Sequence, residues 1–203
     1  MEWRIINSGK RSPAWNMAAD EAIFNSIIAG ESPPTIRFYD WSPPTLSYGY
    51  NQEVEKEIDF EQLIKYNFGY VRRPTGGRMV LHYEEVTYSV ISPLQNRLSG
   101  SILETYSEIS TALLTGLKNM GVAAKFEKKG LSTEQQRRSA NPCFTSSSRF
   151  ELNYKHSKIV GSAQVRKNNT LLQHGSILLH HDQSLVAEFI PGLSRQQRER
   201  FSE

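Results

Sequence analysis

Cys143 and Lys158 are the residues of this 203-residue chain whose types and spacing invite a covalent reading. Cys143 is the only cysteine and ends the run "NPC". A free thiol titrates near 8.5, so only about 3% is thiolate at neutral pH, and a reactive cysteine needs a cation or dipole beside it. Lys158 is the natural cation. It follows the turn "KHS", and a hairpin of residues 149 to 154 with 158 to 166 would carry its ammonium back toward the start of the first strand. Beside it, Gly161, Ser162 and Ala163 are small enough for a substrate chain to lie against their backbone. By default a lone cysteine is a small buried hydrophobe and a hairpin lysine a solvated charge, so the pair needs support from its context. No histidine completes a Cys/His dyad by spacing, since His82, His156 and His174 are equally eligible.

The second constellation is "VRRPTGGRMVLH", residues 71 to 82. Gly76 and Gly77 after Thr75 permit positive φ and let backbone N–H groups converge on an anionic or carbonyl oxygen. Arg72, Arg73 and Arg78 would add charge-assisted donors. The plain alternative is a tight hairpin with a solvated basic face. Neither G-x-x-x-x-G-K-[ST] nor G-x-G-x-x-G is present, so nucleotide phosphate is only one candidate ligand. His82, on the apolar run, reads as a satisfied structural residue rather than a general base. His180 and His181 beside Asp182 make a poor metal site, because adjacent strand residues point to opposite faces.

These residues need elements to hold them. Residues 2 to 7 read as a strand. Ser12 as N-cap and Pro13 at the first turn open a helix whose apolar positions are Trp15, Ala18, Ala19, Ala22, Ile23, Ile27 and Ile28, ending at Gly30. "TIRFYDW" and "LSYGYNQ" read as two strands around the turn Ser42–Pro43–Pro44, and "FEQLIKYNFG" as a short helix. Ser101 and Glu104 form a capping box for the longest helix, residues 101 to 120. "VAAKF" reads as a strand, residues 127 to 141 as a polar loop or lid, and "RFELNY", "KIVGSAQVR" and "LLQHGSILL" as three successive strands. Residues 182 to 190 read as a closing helix. Short connections favour antiparallel pairing, so the expected class is α+β, one domain over residues 1 to 203, with mixed and largely antiparallel sheets packed by helices.

A formal net charge of +3, from 24 Lys and Arg against 21 acids spread along the chain, lacks the concentrated stripe of a nucleic-acid footprint. It suits an acidic protein partner instead. The amino terminus has no secretory pattern, and no run reaches 18 apolar residues, so neither export nor membrane spanning is expected. One cysteine excludes an internal disulfide and a multi-cysteine zinc site. The expectation is a cytoplasmic monomer without a metal.

Taken together, "NMAADEA", "PPTLSYGYNQ", "RRPTGGRMVLH" followed by "EEVTYSV", "NPCF", "KIVGSAQVR" and "LLQHGSILL" resemble the biotin/lipoate protein ligase superfamily, and within it the cysteine-dependent octanoyltransferases. The pieces run in family order over nearly the whole chain. The resemblance implies an acyltransferase in lipoate biosynthesis that needs no cofactor. Cys143 would be the nucleophile and Lys158 its electrostatic partner. Octanoyl-acyl carrier protein would acylate Cys143, and a lysine of a lipoyl domain or of glycine cleavage H protein would accept the chain. Gly76, Gly77 and Lys158 would stabilise the oxyanion. Arg72, Arg73, Thr75, Arg78, His82, Gly161, Ser162, Ala163, His174 and Gly175 would line the substrate site, the three arginines near its entrance. Met79 and Tyr83 stand where the family more often has a small residue and Asp, and would alter the depth or orientation of the pocket. Two rivals share the pattern: an ATP-dependent lipoate ligase, which tends to carry a third glycine after "TGG", and a non-catalytic acyl or carrier-protein binding module.

Overall fold

A computed structural model describes residues 2–126, 152–155, 157–179, 184–194 and 196. Cys143, His156, His180, His181, Asp182 and the loop 127 to 141 lie outside the described residues. The strands are β1 (Arg4–Arg11), β2 (Thr35–Trp41), β3 (Thr45–Tyr48), β4 (Gly69–Arg72), β5 (Val80–His82), β6 (Glu85–Pro93), β7 (Lys125–Phe126), β8 (Leu152–Tyr154), β9 (Ser157–Lys167) and β10 (Thr170–Leu178). The helices are α1 (Pro13–Ile28), α2 (Val54–Glu57), α3 (Phe60–Lys65) and α4 (Ile102–Asn119). Seven strands form one sheet in the order β1-β2-β6-β10-β9-β8-β7, and three form a second in the order β4-β3-β5. Only β1–β2 and β3–β4 pair in parallel among the described strands, so the expected α+β class with mixed, largely antiparallel sheets holds.

Two expectations change in ways that matter for the site. "TIRFYDW" and "LSYGYNQ" do not pair around their turn: β2 joins the large sheet and β3 the small one. The loop 73 to 79 is no hairpin either. β4 and β5 flank β3 on opposite sides, so the chain between them must cross over the end of β3.

α1 starts as expected, with Ser12 Oγ accepting the Trp15 N–H and Pro13 in the first turn. Its buried face agrees only in part: the expected Ile27 is buried and Ile23 and Ile28 pack beside it, but Asn16, Met17, Asp20 and Phe24 also point inward, while Trp15 is 46% exposed. The helical spacing is right, but the helix buries a carboxylate and an amide because the sheet beneath it presents an arginine. α4 carries the expected capping box of Ser101 and Glu104. Thr105, Ile109 and Ser110 are its buried residues, and Ile102 at its start and Met120 at its C-cap are exposed. Between α4 and the large sheet lies an apolar cavity of about 430 Å³, bounded by Ile36, Phe38, Val90, Leu113 and Leu117 among others.

The expected closing helix is a 3-10 turn, Ser184–Phe189. Its Val186 and Phe189 pack with Leu46, Ile58, Leu63, Met79 and Leu81 to form the core under the small sheet. Met79 therefore belongs to this core.

Candidate active site

Cross-strand pairing decides which small and polar residues share a face. One rung of the large sheet runs Arg37, Ser89, His174, Ala163, and the next runs Tyr39, Thr87, Ser176, Gly161. Side chains alternate along a strand, so these two rungs share the face under α1. The intervening rung, Phe38, Tyr88, Gly175, Ser162, belongs to the opposite face. There Ser162 Oγ bonds Tyr88 Oη at 2.7 Å. A Cβ on Gly175 would stand 2.6 Å from Ser162 Oγ and 2.9 Å from Tyr88 Cε1. The expected floor of Gly161, Ser162, Ala163, His174 and Gly175 is thus split. Gly161, Ala163 and His174 share the polar face, and Ser162 with Gly175 packs on the α4 side.

Arg37, only 1% exposed, sits at the centre of the polar face. It donates from Nη1 to Asp20 Oδ1 at 2.8 Å and to the Asn16 carbonyl at 3.1 Å, from Nη2 to Asn16 Oδ1, and from Nε to Ser8 Oγ at 2.8 Å. Asp20 also accepts Ser89 Oγ and Tyr39 Oη, each at 2.9 Å, and its Oδ2 faces His174 Nδ1 at 3.5 Å. Burial raises the Asp20 carboxyl, but the His174 hydrogen bond, the imidazolium charge when present and Arg37 outweigh it, leaving the group below its ordinary value. Burial also leads at His174. It lowers the imidazole below 6.5, against the hydrogen bond and charge of Asp20, with Arg73 and His82 adding to the lowering. At neutral pH the pair is a carboxylate and a neutral imidazole, with the His174 hydrogen bond and then Arg37 favouring the ionised Asp20.

His174 Nε2 lies 2.6 Å from Thr75 Oγ1, which ties this face to the glycine loop. The Thr75 carbonyl accepts the Tyr50 N–H at 2.9 Å, so the residue is held at both its backbone and its side chain. Arg73 is buried too, at 4% exposure. Its guanidinium donates to the Ser47 carbonyl and Oγ and to the Gly76 and Arg78 carbonyls. This corrects the expectation that Arg73 stands near the entrance: its donors are consumed in folding the loop. Arg72 is exposed, its guanidinium over the Tyr48 ring at 5.5 Å, and Arg78 is half-buried. Of the glycine pair, Gly77 adopts the positive φ that the sequence permits, at +91°, and Gly76 does not.

His82 carries a second carboxylate–imidazole pair beneath the same loop. Nδ1 bonds Glu85 Oε1 and Nε2 bonds Ser47 Oγ, each at 2.7 Å, and the ring stacks on Trp41 at 4.3 Å between centroids. Both nitrogens are engaged, as its position on the apolar run suggested for a structural residue, and Ser47 links His82 to Arg73. Glu85 Oε1 also accepts Thr87 and Ser176, while Oε2 is buried without a partner among the described residues. Asp20 and Glu85 anchor both pairs and were not singled out in the sequence, although both lie in its quoted motifs; "NMAADEA" marked the stretch but not which face it buries.

Lys158 is half-buried near the start of β9, opposite Asn153, where the pairing with β8 shifts register. The hairpin expected around it is present over the described residues. Tyr83 is 42% exposed, on the turn between β5 and β6, its ring 6.2 Å from that of Phe68. Among the described residues no group of three His, Cys, Asp or Glu could hold a metal.

The model of the lipoyl protein ligase A/B catalytic domain matches residues 12–202. The chain belongs to this family. Octanoyltransferase LipM of Anoxybacillus flavithermus is 47% identical over 204 residues, 98% of this chain and 73% of that protein. Octanoyltransferase LipM of Bacillus subtilis is 46% identical over the same shares. Among solved structures, the bi-partite lipoate protein ligase of Thermoplasma acidophilum, studied with its E2 lipoyl domain, superposes with a TM-score of 0.76 at 21% identity, over 100% of this chain and 71% of that one. That likeness shows the fold. No described helix of this family member is long and apolar enough to cross a membrane.

Proposed function

We propose that the chain is an octanoyltransferase of lipoate biosynthesis. It takes octanoyl from octanoyl-acyl carrier protein onto Cys143 and delivers it to a lysine of a lipoyl domain or of glycine cleavage H protein. The observation that carries this reading is 46–47% identity to proteins named octanoyltransferase over 98% of the chain. In the first step the Cys143 thiolate adds to the octanoyl carbonyl, and the carrier thiolate leaves and takes up a proton. In the second, the acceptor amine displaces the Cys143 thiolate, loses a proton and becomes an amide. Both steps pass through a tetrahedral oxyanion, for which the Gly76 and Gly77 N–H groups and Lys158 are the proposed donors. Gly161 and Ala163 on the His174 face leave room for the chain, and the exposed Arg72 together with Arg78 would meet acidic protein substrates. The action is that of a soluble cytoplasmic monomer using no cofactor.

Intact-protein mass spectrometry after mixing with octanoyl-acyl carrier protein tests the reading. An octanoyl adduct should form on Cys143, disappear on adding an apo lipoyl domain, and be absent in Cys143→Ala. Lys158→Ala should slow both half-reactions. Transfer at the wild-type rate in Cys143→Ala would refute the nucleophile, and lipoate-dependent pyrophosphate exchange would favour a ligase instead.

A further inference from the structure

The acyl-transfer reading uses the glycine loop but gives no task to the buried carboxylate in α1. Asp20 is fully buried; its two oxygens accept from Arg37, Ser89 and Tyr39, and Oδ2 faces His174 Nδ1 at 3.5 Å. An ionised carboxylate can only accept hydrogen bonds, so the His174 nitrogen facing it, Nδ1, must carry the imidazole proton. In a neutral ring Nε2 is then bare. Its neighbour at 2.6 Å is the hydroxyl of Thr75, which must therefore donate. The order of donors along Asp20, His174 and Thr75 is fixed from the carboxylate outward, and it ends on the residue that begins the glycine pair.

We propose that Asp20 is a positioning residue for this loop: its Oδ2 holds His174 as the Nδ1–H tautomer, which lets Nε2 accept the Thr75 hydroxyl and latch the loop to the sheet. Asp20 touches no substrate. It acts through a strand residue on a loop that arrives from the other sheet, and the Tyr50 N–H on the Thr75 carbonyl completes the latch. Without the Thr75 hydroxyl bond, the loop retains the Arg73 contacts that shape its turn but loses its tie to β10. The consequence for acyl transfer rests on the octanoyltransferase reading; the consequence for the tautomer does not.

Long-range ¹H–¹⁵N correlation spectra of histidine-labelled protein read the tautomer, with His174→Gln identifying the resonance. Wild type should show a protonated Nδ1 and an unprotonated, hydrogen-bonded Nε2. Asp20→Asn places an amide that can donate to Nδ1 and should invert the tautomer. The same change lowers the rate of octanoyl adduct formation by roughly 10²-fold, as displacement of a reacting geometry by about 1 Å does, and lowers kcat rather than raising KM. Thr75→Val should shift Nε2 alone, leave Nδ1 protonated and slow transfer, while Thr75→Ser restores both. If Asp20→Asn does not fold, the Thr75 pair reads the other end of the relay. An Nε2–H tautomer in wild type, an unchanged tautomer in Asp20→Asn, or an unmoved Nε2 resonance in Thr75→Val overturns the proposal. A tautomer that responds as stated in a protein forming no adduct sinks the octanoyltransferase reading and leaves the positioning role standing.

Discussion

Gly49 offers the sharpest test of whether the glycine loop must sit where it does. It follows β3 directly, at the strand end that the loop crosses. Its φ lies outside the positive region, so alanine is compatible with the backbone, and the obstacle is steric. A Cβ at this position would stand 2.0 Å from the Gly77 carbonyl oxygen, 3.0 Å from the Gly77 carbonyl carbon and 3.1 Å from that of Gly76. Carbon–oxygen contacts close no nearer than about 3.3 Å, so Gly49→Ala must drive that carbonyl back by more than about 1 Å. The loop cannot yield at its base, since Thr75 is tied to Tyr50 and His174 and Arg73 grips the Gly76 and Arg78 carbonyls. Overpacking of this kind costs about 1–3 kcal/mol, and a shift near 1 Å at a reacting geometry costs about 10²-fold in rate. Urea unfolding and the initial rate of octanoyl adduct formation measure the two halves separately. A variant with the wild-type midpoint would refute the packing argument. A destabilised variant that still acylates at the wild-type rate would show that the loop is remote from the reacting carbonyl.

Other outcomes follow from the same geometry. Arg37→Leu leaves Asp20 charged and buried with no cation, and chemical denaturation should show a loss of about 3–5 kcal/mol, as for other broken buried pairs. Gly116→Ala, in α4, meets nothing within 4 Å and has no positive φ, so thermal unfolding should show stabilisation of about 0.5–1 kcal/mol. The histidine in the relay also sets a pH dependence. Its imidazole is lowered below 6.5 in the folded state, so the unfolded chain binds its proton first. Stability should therefore fall as pH drops from 6.5 through the folded value, and His174→Gln should flatten this part of a stability profile. Asp20 acts in the same sense at lower pH: its carboxyl lies below 3.8 in the fold, so its contribution is complete above that value and is lost as the folded carboxyl protonates.

Local signals in the sequence were strong where a short-range rule applies. Ser12 with Pro13, and Ser101 with Glu104, start α1 and α4 where the caps stand, because capping is settled within one turn. "KIVGSAQVR" and "LLQHGSILL" pair as β9 and β10 because a two-residue connection leaves antiparallel pairing as the available solution. What failed was facing and partnership. Of the apolar positions of α1, Ile27 is buried and Ile23 and Ile28 pack against the core as expected, but Trp15 is exposed and the buried stripe also runs through Asn16 and Asp20, since Arg37 lies across from them on β2. A single strand gives no sign of which sheet it will join, so the crossing of β3 by the loop was invisible, and with it the role of Gly49. Arg73 illustrates the same limit. Three arginines around two glycines read as a basic entrance, but one of them is consumed within the loop.

That consumption explains why so much polarity is buried at one place. Burying Arg37, Asp20, His174, His82, Glu85 and Arg73 brings no advantage to stability over an apolar core of equal volume, because desolvation offsets much of what pairing returns. What these groups supply is direction. Together they converge on residues 73 to 78 from beneath: Asp20 and His174 through Thr75, Glu85 and His82 through Ser47 and Arg73. A glycine pair is free to take many shapes, so a loop whose N–H groups are to meet a developing oxyanion has to be held by something else. An apolar support would hold such a loop in several registers, whereas two carboxylate–imidazole arms and a guanidinium accept one. The polar core is therefore expected to tolerate Glu85→Gln, which strips no buried guanidinium of its carboxylate, far better in folding than in transfer rate. Equal losses in both would mean that the arms serve the fold alone.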